Sequence, residues 1–219
     1  MKNYCLSISE KDLFNILVKQ ISSNFILDKN EIIVLEKYYK KVLEKTIGCI
    51  KKNKSKYFSK QGLPYFNPFH SVQYMIFLYY YSNTLYTAKE AAILCDKIYY
   101  LNKIMNSVDI FYAIELPSYF CAEHPIGTVL GRAKYEEGFF FYQGCTIGGY
   151  HEKNGNISYP TIKKNVYMYA NSSIIGRCVI GANTNIGPDA LVKNCDIPSD
   201  CNVFGQSPNL IIKMKKNGI

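Results

Sequence analysis

Residues 129–148 read VLGRAKYEEGFFFYQGCTIG, and residues 161–193 read TIKKNVYMYANSSIIGRCVIGANTNIGPDALVK. In both stretches the chain counts in sixes. Val129, Tyr135, Phe141 and Ile147 stand six apart, and the count resumes at Ile162, Met168, Ile174, Ile180, Ile186 and Val192. Four residues after most of these sits something small or β-branched: Ala133, Cys145, Val166, Ser172, Cys178, Thr184 and Ala190. Glycine follows directly at Gly148, Gly181 and Gly187. One inward apolar residue per short fixed unit is the signature of a parallel β-helix of hexapeptide repeats. Three hexapeptides make one triangular coil. The large residue fills the prism, the small one fits the corner, and glycine eases the turn. A sandwich of alternating strands would instead show period two and irregular turn spacing.

The rest of the 219-residue chain bounds the answer. One or two domains are expected. Ser7, Ser9 and Glu10 break the leading apolar stretch, so no signal peptide is read there. The longest apolar run, residues 74–81, is too short to span a bilayer. A cytoplasmic protein without a transmembrane segment is the expectation. The eight cysteines form no CxxC pair and read as buried thiols, with no metal site. The net charge of +9 comes almost wholly from lysine. No basic block is interleaved with aromatics, so nucleic acid is not the expected partner. Lys51, Lys52, Lys54 and Lys56 read as a solvated linker, and Lys213, Lys215 and Lys216 as a solvated tail. The excess suits a polyanionic cofactor or an acidic acceptor, and a lysine-rich genome would produce it equally.

Residues 1–108 read as an α-helical domain. Ser9 caps a first helix with Asp12 three residues on, and Asp28 and Glu31 form a capping box for a second. The second helix lays Ile32, Leu35, Tyr39, Val42, Leu43, Ile47 and Ile50 along one face. Residues 51–62 read as a linker. Pro68 suits the first turn of a third helix, apolar nearly all round and therefore buried or at a subunit interface. Thr87 and Glu90 read as a capping box opening a fourth through Ala91, Leu94, Ile98 and Leu101. Asp109 begins the β domain, 109–219. Residues 149–160 carry no hexapeptide register and read as a loop ejected from one corner of the prism. An irregular C-terminal tail follows Pro198.

Three histidines exist: His70, His124 and His151. Asp109 precedes His124 by fifteen residues, about one coil, which would stack a carboxylate on an imidazole. A carboxylate on one ring nitrogen fixes the tautomer, and the other nitrogen can then take a proton from a hydroxyl. A structural histidine is the plain alternative.

Asp109-Ile110, Glu123-His124-Pro125-Ile126-Gly127, Val129-Leu130-Gly131, Thr146-Ile147-Gly148-Gly149 and the hexapeptides from Ile162 together resemble the serine acetyltransferases. Phe69-His70 looks like a further family element. The resemblance covers residues 109–208 and extends thinly over 65–108. It implies an α+β chain, with an N-terminal α-helical domain followed by a left-handed parallel β-helix, an exception to the usual crossover hand. It implies acetyl-CoA as co-substrate, and a homotrimer or dimer of trimers with the cofactor between neighbouring β-helices. His124 then corresponds to the general base and Asp109 to its orienting partner. Gly148 is placed at the oxyanion, and Ala170, Pro188 and Lys193 along the cofactor, with Lys193 near the CoA phosphates; Gly148 reads more simply as a tight corner, and the other three equally as plain corner residues. Pro188 lacks an N–H where a backbone donor is usual.

The departures concern the acceptor. Glu123 stands where the family has aspartate. The aspartate that the family carries upstream of its Phe-His element has no counterpart before Phe69-His70. Ser158-Tyr159-Pro160 replaces an Arg-His-Pro element whose arginine holds the serine carboxylate. With that cation gone, Tyr159 offers a flat apolar face, which suits a sugar ring. The expectation is therefore an acetyl-CoA-dependent O-acetyltransferase acting on a sugar hydroxyl of a bacterial surface polysaccharide or its precursor, with Glu123 and Tyr159 at the acceptor. His151 is either a second acceptor residue or a solvated loop histidine. The alternatives are serine O-acetylation for cysteine synthesis and a non-catalytic β-helix scaffold. An isoleucine tail ends many of the family, where it docks into a partner enzyme; the single Ile219 here reads as coincidence.

Overall fold

The computed structural model describes residues 3–53 and 55–215. Lys54, Lys216 and Ile219 lie outside them. The chain divides into two compact units, Met1–Asn106 with Phe111–Ala113, and Ser107–Ile110 with Ile114–Ile219.

The first unit holds four helices: α1 (Glu10–Asn24), α2 (Lys29–Ile50), α3 (Ser71–Thr87) and α4 (Ala92–Asn106). Ser9 accepts the Asp12 N–H at 3.1 Å, and the Asp28–Glu31 box is complete in both directions. Each such cap satisfies an orphan donor of the first turn and is worth about 1 kcal/mol. Leu13, Leu17 and Ile21 of α1, and Leu35 and Val42 of α2, are fully buried. In α3 every residue from Val72 to Leu85 is buried, as its lack of a polar face requires. Asn83 and Asn102 are buried too, and both donate to backbone carbonyls, of Tyr112 and Met75. No helix among the described residues is long and apolar enough to cross a membrane.

Three expectations change here. Thr87 does not open α4. It ends α3, and its hydroxyl donates back to the Asn83 and Thr84 carbonyls. Glu90 is taken by Lys37 at 2.8 Å, and α4 begins two residues later. Pro68 lies in the turn before α3, whose cap is His70. Residues 51–62 are not a featureless linker. Ser59–Lys60 pairs antiparallel with Leu63–Phe66, which pairs parallel with Cys5–Leu6.

The second unit is a triangular parallel β-helix. Its first face stacks Phe120–Ala122, Phe139–Phe141, Tyr167–Met168 and Asn185–Ile186. The second face stacks Asp109–Ile110, Val129–Leu130, Thr146–Gly148, Ser173–Ile175 and Leu191–Lys193. The third stacks Lys134–Tyr135, Thr161–Ile162 and Val179–Ile180. The regular coil is eighteen residues long, as in Tyr167↔Asn185. Phe141, Ile147, Ile162, Met168, Ile174, Ile180, Ile186 and Val192 are fully buried along the axis. Val129 is the exception, 41 % exposed. Leu130 points inward instead, opposite Ile147, so the frame slips by one in the first coil.

The glycines act differently from expectation. Gly148, Gly181 and Gly187 have ordinary φ. At Gly181 and Gly187 glycine permits close approach: a Cβ on Gly181 would lie 2.3 Å from Ser199 N, and one on Gly187 2.6 Å from Phe204. The left-handed corners are made largely by asparagine and aspartate, at Asn165, Asn171, Asn183, Asp189, Asn194 and Asp200, the residues that tolerate that conformation best after glycine. They stack between coils, Asn165 Nδ2 donating to Asn183 Oδ1 at 3.0 Å and Asn171 Nδ2 to Asp189 Oδ1 at 3.1 Å. The C-terminal segment is not irregular. Cys201–Gln206 continues the first face on Asn185–Ile186 and turns back antiparallel as Asn209–Met214.

Candidate active site on two edges of the prism

The edge between the first and second faces carries His124. It sits in the turn between Phe120–Ala122 and Val129–Leu130 with φ +49°. A non-glycine residue held there is strained, and such strain gathers at functional sites. The turn is fixed by Ile126 N–H to His124 O (2.8 Å), Gly127 N–H to Ser107 O (2.8 Å) and Gly144 N–H to Ile126 O (2.9 Å). The imidazole is 80 % exposed, and Nε2 lies 4.0 Å from Glu123 Oε1. Glu123 also accepts the Tyr142 hydroxyl at 3.1 Å. Desolvation, then that bond to Glu123, push the Tyr142 hydroxyl up to about 12.

Asp109 lies beside this turn, its N–H donating to Thr128 O at 2.9 Å. Its partner in the ladder is Val129, not His124. The first coil is twenty residues long here, from Asp109 to Val129, so the fifteen-residue step does not place the pair in register. The turn before Val129 is what brings His124 to the same edge. Below His124 the edge continues through Gln143, Ala170 and Pro188. Asn171 N–H donates to Gln143 O, and Asp189 N–H to Ala170 O at 3.0 Å. Ala170 is half-buried and Pro188 exposed.

The edge between the second and third faces carries the other predicted residues. Gly148 ends its strand there, its carbonyl accepting from Gly176 N–H at 2.9 Å. Residues 149–160 leave from this edge, with Tyr150–His151 paired antiparallel to Ile157–Ser158. His151 is exposed on that hairpin. Tyr159 packs on Gly149, where a Cβ would meet its ring at 2.8 Å. Lys193 Nζ lies 4.7 Å from the Tyr150 ring centre and lines a cavity of about 410 Å³ with Asn194, Cys195, Ser207 and Pro208.

A cation missed in the sequence stands beside Tyr159. The Arg132 guanidinium lies 5.3 Å from its ring centre, with Nη1 3.5 Å from the hydroxyl. The arginine that Ser158-Tyr159-Pro160 lacks is thus matched by one from the coil above. Two signals could have found it. Arg132 and Arg177 are the only arginines in a lysine-rich chain. Lys134 is the ladder partner of Thr161, which sets Arg132 over Tyr159 once the hairpin is recognised as an insertion.

Among the described residues no group of acids, histidines and cysteines is arranged to hold a metal ion. Burial pushes the Cys145 and Cys178 thiols up, and Cys145 packs on the Tyr169 carbonyl and Ser172 hydroxyl. A thiolate nucleophile there is disfavoured. Titration of the native protein with a chromogenic disulfide should label the half-buried Cys5 and Cys195 first. Cys145 and Cys178 should react only on unfolding. Mass mapping of early label onto Cys145 would contradict this packing.

No family model matches the chain. The serine acetyltransferase of Synechococcus elongatus is 32 % identical over 107 residues, which is 48 % of this chain and 43 % of that protein. The serine acetyltransferase of Staphylococcus xylosus is 29 % identical over 126 residues, 57 % of each chain. The chain spans about half the length of the curated relatives it matches. Among solved structures, Neisseria gonorrhoeae serine acetyltransferase superposes with TM-score 0.70 at 21 % identity, over 94 % of this chain and 81 % of that one. A serine acetyltransferase in complex with CoA gives 0.66 at 16 % identity, over 93 % and 84 %. The β unit therefore has the left-handed β-helix fold of hexapeptide-repeat proteins. The chain is similar to serine acetyltransferases in sequence over about half its length, and in fold.

Proposed function

We propose that the chain transfers the acetyl group of acetyl-CoA to a hydroxyl, and that the hydroxyl is that of serine. The exposed His124, held in a left-handed turn next to Glu123, with the Asp109 backbone bonded to Thr128 of the same turn, carries the reading. Its free nitrogen takes the hydroxyl proton as the oxygen attacks the thioester carbonyl. The C–S bond then breaks, and the CoA sulfur takes the proton from the imidazolium. Asp109 orients the ring. Backbone N–H groups near Gly148 stabilise the tetrahedral oxyanion. Ala170 and Pro188 flank the cofactor, and Lys193 with its cavity suits the CoA phosphates.

The acceptor reading differs from the sequence expectation. A sugar ring needs the open face of Tyr159, and Arg132 lies against it. A serine carboxylate needs a cation, and Arg132 supplies a fork of donors. The relatives' names point the same way, and one solved neighbour is a complex with serine. A surface sugar stays as the second reading on one observation. The stacked pairs Phe140–Tyr167 (5.1 Å, 15°) and Tyr142–Tyr169 (5.3 Å, 11°) form an aromatic strip leading to Glu123. An acceptor screen decides, with acetyl-CoA plus L-serine, serinamide or sugars and release of the CoA thiol as readout. Serine should be preferred over serinamide, and Arg132→Gln should raise the serine KM about tenfold or more while leaving that of serinamide nearly unchanged. Transfer to sugars and none to serine would favour the second reading.

His124 and Tyr159 lie on different edges of one chain. A closed ring of copies brings the first edge of one against the second edge of the next. We therefore expect a trimer or a multiple of three, by light scattering; an active monomer would refute the shared site.

A further inference from the structure

Tyr142 follows the inward-facing Phe141 and lies half-buried on the outer side of the first face. Its backbone is held twice. The N–H donates to Met168 O at 3.0 Å, and the carbonyl accepts the Thr128 hydroxyl at 2.7 Å. Thr128 is buried and closes the His124 turn, its own N–H donating to Pro125 O at 3.2 Å. The ring is held twice more, stacked on Tyr169 at 5.3 Å and 11° and tilted against Phe140 at 5.3 Å. The place of the hydroxyl is therefore fixed. It donates to Glu123 Oε2 at 3.1 Å. Pushed up to about 12, first by desolvation and then by that bond, it remains a donor at any working pH. Glu123 is the opposite case, a flexible side chain that is 54 % exposed and costs rotamer entropy to order. Its other oxygen, Oε1, lies 4.0 Å from His124 Nε2. That is too long for a hydrogen bond, so the carboxylate acts on the ring through its charge and leaves the nitrogen open to an acceptor.

We propose that Tyr142 is a positioning residue, whose hydroxyl pins the Glu123 carboxylate beside His124 so that its charge stabilises the imidazolium formed during transfer. Its use in the reaction rests on His124 being the base of the proposed transfer. A stacked phenol suits the task, because packing fixes the donor and one hydrogen bond then fixes the carboxylate. Without the hydroxyl the carboxylate turns toward water, where its charge is screened. Asp109 on the neighbouring strand, and Tyr167 and Tyr169 on the first face, are the other titratable groups at this edge. None of them differs between the parent and Tyr142→Phe, so their influence cancels.

The titration midpoint of the His124 ring signal tests this, followed by NMR in the full chain and assigned with His124→Asn. Tyr142→Phe keeps the ring and its stack. Its His124 midpoint should fall by roughly 0.3–0.7 pH units, because a carboxylate about 4 Å away favours the charged imidazole. Glu123→Gln should lower it by as much or more. Adding Tyr142→Phe to Glu123→Gln should then lower it no further, since a residue that acts through the carboxylate has nothing left to hold. An unchanged or raised midpoint in Tyr142→Phe would overturn the proposal, and so would additive shifts in the double variant. Activity is read separately. The acidic limb of the kcat/KM profile reports the free enzyme's base and should move down with the NMR midpoint. If the midpoints shift as expected and that limb stays in place, Tyr142 positions Glu123 and His124 is not the base, so the two readings fail independently.

Discussion

Replacing His124 by alanine is expected to lower turnover by roughly 10²–10⁴-fold, the usual contribution of a general base. The side chain is 80 % exposed, so its removal leaves no cavity and the assembly should elute unchanged. The backbone needs separate control, because φ +49° is tolerated poorly by alanine. Asparagine tolerates that conformation. His124→Asn should therefore fold at least as well as His124→Ala and lose the same activity. Asp109→Asn should cost less, since the imidazole is still present and only its orientation suffers. The measurement is the initial rate of CoA thiol release with the best acceptor of the screen. Near-normal turnover in His124→Asn would remove the proposed mechanism.

Phe141→Ala should destabilise the β-helix by about 3–5 kcal/mol. Phe141 is fully buried on the axis, stacked on Phe139 at 5.5 Å and paired between Ala122 above and Met168 below. Each coil of a solenoid rests on its neighbours alone, so the void falls where few atoms can close over it. The adjacent Phe140 points outward onto Tyr167. Phe140→Ala should cost only about 1 kcal/mol, near the value of a stacked aromatic pair. Urea midpoints of the two variants measure the contrast. A loss below about 1 kcal/mol for Phe141→Ala would contradict the repeat frame.

The repeat was legible because the axis of the prism admits one large apolar side chain per six residues, from Tyr135 to Val192. Burial alone sets that pattern. It failed at Val129, where a turn of different length shifts the frame to Leu130. The corners were harder to read. Asparagine as well as glycine serves the left-handed turn, and only the ladder from Asn165 to Asn183 distinguishes a stacked amide from a loop residue. In the helical part, the apolar stripe of α2 and its caps follow local rules. Thr87 and Glu90 also obey a local rule on paper, but Glu90 is claimed by Lys37 from another helix, and tertiary contact prevails. His124 was singled out in the sequence, and the structure exposes it beside Glu123. Arg132 was not singled out, because its neighbour Tyr159 is 27 residues away and the intervening hairpin breaks the count.

That hairpin has a consequence for descent. The regular coil takes eighteen residues, yet Lys134 and Thr161 pair across 27 with no change in the faces around them. The extra length is discharged at one corner, and the prism below resumes in frame. Mutations there can lengthen, shorten or redecorate the hairpin without passing through a misfolded intermediate. On the proposed reading the hairpin brings Tyr159 to the acceptor while Arg132 stays in the coil, so one half of the acceptor site can drift at a different evolutionary rate from the scaffold.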